Sequence, residues 1–152
     1  MTGLRRALLG IACAGVVCTA ATVAVILSSD HVPLRGAEAA VGAFVCLSFI
    51  GTGLYAWWRR PRNRFGVLMT AVGFAFLLGG LAATDSPLLF TIVITVNAVW
   101  VALTVHMLLA YPEGRLRSGF ERALVTTGYV AATIGQLPGM LFLDTRDLDD
   151  CD

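Results

Sequence analysis

Lysine is missing from this chain of 152 residues, and all eleven basic residues are arginine. A retinal-type Schiff base needs a lysine amine, so that chemistry is excluded. Charge of any kind is scarce: 14% of residues are charged, where soluble domains average about 25%. There are only two histidines, and no Asp, Glu or Arg falls within an apolar run away from its ends. Proton relays and ion-coupled transport usually need an ionisable group at membrane depth, so a transporter is disfavoured. No P-loop, zinc motif, nucleophile elbow or kinase nucleotide loop is present. The chain carries no catalytic constellation, implies no cofactor, and offers nothing to a nucleic-acid partner.

Cysteine is sparse too. Cys13, Cys18 and Cys46 lie in apolar runs, where a free thiol acts as a small packing residue. Cys13 and Cys18 are about 140° apart around a helix and cannot bridge. Cys151 stands alone among aspartates, so no disulfide framework or metal spacing emerges.

What is abundant is apolar sequence: 57% hydrophobic residues and a mean hydropathy of +0.79. This composition predicts an all-α, polytopic transmembrane bundle over residues 1–143, with the lipid bilayer as its solvent and first partner. The expected spans are about 7–27, 36–58, 65–83, 88–111 and 123–143. The first run, Ala7 to Leu27, is too long for a signal-peptide core of about 7–15 residues, and is read as retained. Gly10/Ala14 and Gly15/Thr19 within it are small-xxx-small pairs suited to close helix packing. Pro33 breaks the first turn. Tyr55, Trp57 and Trp58 place headgroup-seeking rings at the end of the second span, which Pro61 stops. Asn63 is the expected N-cap of the third span. Thr84-Asp85-Ser86-Pro87 forms the next hairpin, with Ser86 as cap, and Pro112-Glu113-Gly114 the turn after it. Pro138-Gly139 is expected to kink the fifth span.

Arginine position sets the orientation. Arg59, Arg60, Arg62 and Arg64 crowd into Trp57–Phe65, between two spans. Each would cost about 2.5–3.5 kcal/mol at the centre of a membrane helix, and arginines in short loops stay in the cytoplasm. With the amino terminus inside, Arg5, Arg6, Arg115, Arg117 and Arg122 share that side. Only Arg35 and Arg146 fall outside. The expected location is therefore the plasma membrane, multi-pass, with the amino terminus cytoplasmic. Residues 144–152 (D-T-R-D-L-D-D-C-D) form an acidic extracytoplasmic segment. Hard carboxylate oxygens suit calcium or magnesium, but the calcium-loop pattern is absent and a solvated segment is the reading we adopt.

Four polar residues within the spans are weighed as candidates for a role. Asn97, about 13 Å into the fourth, shares a face with Thr104. Interhelical hydrogen bonding is preferred there over a small ligand site. His106 sits close to the cytoplasmic surface, on a face with Thr91 and Thr95. A bis-histidine haem would need a partner at similar depth, and His31 is in the outer turn. A satisfied or snorkelling histidine is preferred over a pH sensor. Gln136 is expected to bond backbone groups freed by the Pro138 kink.

Two loops resemble a known family. R-R-P-R-N-R-F-G-V-L (Arg59 to Leu68) resembles the R-R-P-G-N-x-I-G-W-L loop of membrane input domains in actinobacterial two-component sensor histidine kinases. Y-P-E-G-R-L-R-S-G-F-E-R (Tyr111 to Arg122) is similar to the F-P-D-G-R-L-P-S-x-x-W-R loop that follows two helices later. The resemblance covers about Leu54 to Leu143. It departs at Arg62 and Arg64, where Gly and often Pro are usual, and at Arg117, where Pro is usual. It implies a sensory input module for signal transduction, homodimeric through its membrane helices, whose response regulator is reached only through kinase domains absent here. Five spans leave the carboxyl end outside, so a sixth span beyond Asp152 and a truncated chain are expected. The alternative is a small standalone membrane scaffold or assembly protein without catalysis.

Overall fold

Residues 2–29, 33–83, 93 and 97–135 are described by a computed structural model, and among them there are helices and turns but no strand. Helix α1 runs Thr2–Ser28 and α2 Arg35–Arg59. At 1.5 Å per residue each exceeds the roughly 30 Å hydrocarbon core of a bilayer. These two helices are long and apolar enough to cross a membrane. Helix α3 (Phe65–Gly80) continues into a 3-10 turn, Leu81–Ala83. Helices α4 (Val99–Leu109) and α5 (Gly119–Thr133) follow.

Each helix packs on the next in chain order, and α1 also touches α3. Near the amino-terminal end of α1, Leu8 joins Leu54 of α2 in the core with Cys46, Ile50 and Leu77. At the other end of α1, Thr22 and Ile26 lie beside Gly80 at the end of α3. The chain thus runs up and down, and Arg5, Arg6 and both arginine-bearing loops gather at one end.

Small residues make the closest crossing. A Cβ on Gly53 would lie 2.5 Å from Thr70 Oγ1 and 2.6 Å from Thr70 N; one on Gly66 would lie 2.5 Å from Trp57 N and 2.7 Å from Gly53 O. Backbone therefore meets backbone between α2 and α3. The Thr70 hydroxyl is satisfied within its own helix, donating to Gly66 O at 2.9 Å. Large side chains do the opposite. Phe44 is 73% exposed, Val17 67% and Leu9 65%, whereas the largest fully buried side chains are Cys46 and Ser29.

Several expectations shift. The third helix proper ends at Gly80, and its last turn tightens to 3-10. The fifth begins at Gly119, four residues before the expected 123, because Ser118 and Glu121 form a capping box. Arg64, not Asn63, occupies the N-cap of α3. In α1, Gly15 packs beneath Ile50 and Phe74 and Thr19 donates to Gly15 O at 2.7 Å. Gly10, by contrast, has no neighbouring atom within 4 Å of its Cβ position, so packing within the chain explains only the second small-residue pair. The Thr84–Pro87 hairpin, the Pro138-Gly139 kink, Gln136, His31, Thr91, Thr95 and the acidic segment 144–152 lie outside the described residues.

Candidate functional site

The site is assembled at the arginine-rich end from the two loops singled out above. In the first, Asn63 N donates to Arg60 O at 2.9 Å, closing a four-residue turn with Pro61 at its second position. The Asn63 side chain then works in two directions. Its Oδ1 accepts from Phe65 N at 2.8 Å, satisfying a helix-start donor from one residue before the N-cap. Its Nδ2 donates to Pro112 O of the second loop at 2.9 Å.

In the second loop, past the Ala110 C-cap of α4, Gly114 has φ +72° and donates its N–H to Ala110 O at 2.7 Å. The left-handed backbone there favours glycine. Gly114 also abuts the first loop: a Cβ would meet Phe65 N, with Arg64 C at 2.5 Å and Arg64 Cα at 2.8 Å. The Phe65 and Tyr111 rings meet edge to face, with centroids 5.5 Å apart. A backbone contact, a side-chain hydrogen bond and an aromatic pair thus fasten the two loops into one clasp.

Beyond the clasp, Glu121 accepts from Ser118 N at 3.1 Å and Arg117 N at 2.7 Å, while Ser118 Oγ accepts from Glu121 N at 3.0 Å. The backbone N–H groups of Ser118 and Arg117 favour the carboxylate and hold the Glu121 carboxyl below the ordinary glutamate range. A depressed pKa contributes stability that is complete above the unfolded value and disappears as pH falls through the folded one. The amide resonances of Arg117 and Ser118 should therefore titrate with a midpoint below that of an unstructured glutamate. A midpoint at or above it, measured by NMR, would contradict the capping box.

All seven arginines expected in these loops, Arg59, Arg60, Arg62, Arg64, Arg115, Arg117 and Arg122, are exposed. Arg117 pairs with Glu113 at 2.9 Å. Arg60, Arg62 and Arg115 instead line an open cleft of about 590 Å³ between the loops, with Pro61, Asn63 and Glu113.

The polar residues of the helices are dispersed. Thr104 donates to Trp100 O of its own helix at 2.8 Å, so it does not bridge helices as expected. Asn97 lies against Gly79 of α3, on a groove of about 490 Å³ that Glu38, Phe76 and Trp100 also line. His106 Nδ1 and Tyr129 OH of α5 are 3.2 Å apart, which satisfies the histidine. Tyr129 was not singled out from sequence, because its meeting with His106 depends on the register of two helices. Among the described residues no three His, Cys, Asp or Glu side chains are grouped to hold a metal ion. No protein family, curated protein or solved structure matches this chain.

Proposed function

We propose that this chain is the membrane-embedded input module of a signalling protein of the sensor histidine kinase type. Five spans cross the plasma membrane, with the amino terminus and both arginine loops in the cytoplasm. One observation carries the reading: the two loops that bear the family-like motifs, 49 residues apart at the Asn63–Pro112 bond, close on each other as a unit. Several positions at which this chain matches the motifs have a physical task in that unit or beside it. Asn63 bridges the loops, Gly66 admits the backbone of α2, Gly114 admits that of Arg64–Phe65, and Ser118 caps α5.

Membrane placement draws on packing as well as on length. In water, Phe44, Val17 and Leu9 would stand exposed to solvent while no side chain larger than cysteine is fully buried among the described residues, which is the wrong way round for a soluble surface. In lipid, close approach through small residues drives helix association and large apolar side chains face the tails. Helix α3 with its 3-10 turn measures about 24 Å plus about 6 Å, enough for one crossing.

In this reading, homodimeric through its membrane helices, the clasp couples the α2–α3 pair to α4–α5. A stimulus that displaces α3 against α4 must displace the loops, and so shifts the population an output domain senses. The protein encoded by the complete reading frame, reconstituted with labelled ATP, should incorporate phosphate on histidine. An intact, inserted protein with no phosphate uptake would favour the standalone scaffold instead.

A further inference from the structure

The cleft between the loops concentrates positive charge that nothing in the described chain neutralises. Arg60 and Arg62 reach it from one loop and Arg115 from the other. None of the three guanidinium groups makes a hydrogen bond or ion pair among the described residues. The one carboxylate on the cleft, Glu113, is held by Arg117, which does not line it. Three like charges on facing walls repel, yet the walls are fastened to each other. Asn63 ties them at 2.9 Å and Gly114 is seated on the Arg64–Phe65 backbone.

We propose that this cleft is a binding site for a phosphate group of net negative charge. Guanidinium forks match phosphate oxygens in two-bond contacts, and they are more weakly hydrated than an ammonium. Walls fixed beforehand spare the ordering that a mobile arginine cluster would need on binding. The adjoining Trp57 and Trp58 put the cleft at headgroup level in the orientation above, so an anionic lipid headgroup and a soluble phosphate both have access. The inference rests on that membrane placement and is independent of any kinase output.

The test has two arms, both on the whole chain. Nanodiscs of phosphatidylcholine receive fluorescent phosphatidylglycerol, and detergent-solubilised protein receives pyrophosphate. Saturable binding is expected in at least one. Replacing one fork from each loop, R62Q/R115Q, should weaken it about tenfold or more, as loss of charge-assisted hydrogen bonds implies. R5Q/R6Q removes equal charge from the same end and should weaken it less than about threefold, the effect of screened surface charge alone. R62K/R115K preserves charge and insertion but not the fork, and should fall between the two. Lipid binding that pyrophosphate does not displace assigns the bilayer as source; displacement shows that one site takes both, and pyrophosphate binding alone assigns a soluble ligand. No saturable binding in either arm, equal losses in R62Q/R115Q and R5Q/R6Q, or wild-type affinity in R62K/R115K would overturn the proposal.

Discussion

Gly114→Ala should destabilise the chain by about 4 kcal/mol, the largest effect of any one-carbon change in the loops. A left-handed backbone costs an L-residue about 1–2 kcal/mol. The added carbon also meets Phe65 N, with Arg64 C at 2.5 Å, and backbone has no rotamer by which to yield. The loops must separate, at about 1–3 kcal/mol for a forced shift, and separation breaks the Asn63–Pro112 bond. Gly119→Ala is the control, because nothing lies within 4 Å of its Cβ position. Unfolding titrations in detergent should place the two variants far apart, and a difference under about 0.5 kcal/mol would contradict the clasp.

The second large effect lies where α2 crosses α3. Gly66→Ala sets a carbon 2.5 Å from Trp57 N and 2.7 Å from Gly53 O, so the helices must part along their closest contact. In the proposed membrane setting no hydrophobic force acts between helices, so van der Waals packing is the main attraction lost, and about 3 kcal/mol is expected. Gly51→Ala, on α2 with open space around it, should be nearly silent. Gly53→Ala forces the same separation, so the double variant should cost clearly less than the two single effects combined. Additive losses would mean that the two glycines act at independent sites.

These contacts show where sequence reading succeeds and where it stops. The bounds of α2 were legible, 36–58 against Arg35–Arg59, because apolar runs and flanking arginines act locally. Asn63 was legible as a helix-start residue, but its second bond reaches Pro112, and no local pattern reports a partner so remote. The start of α5 was misplaced for a different reason. Its S-x-x-E box is visible in Ser118-Gly119-Phe120-Glu121, but hydropathy sets the lipid boundary rather than the helix boundary. Thr104 turned to Trp100 O because a hydroxyl within a helix has an acceptor one turn back, nearer than any neighbouring helix. The cleft itself was invisible, since Arg62 and Arg115 share it only once the loops have met.

The central claim is that both arginine loops lie together on the cytoplasmic side of a membrane. In a background with Cys13, Cys18, Cys46 and Cys151 replaced by serine, Arg62→Cys, Arg115→Cys and Gly36→Cys can each be probed with a membrane-impermeant maleimide. Gly36 lies at the opposite end of α2 from the clasp, in open space. The account predicts that positions 62 and 115 label only in inverted vesicles and position 36 only in intact cells. Labelling of 62 and 115 from opposite sides, or of all three from one side, would contradict it.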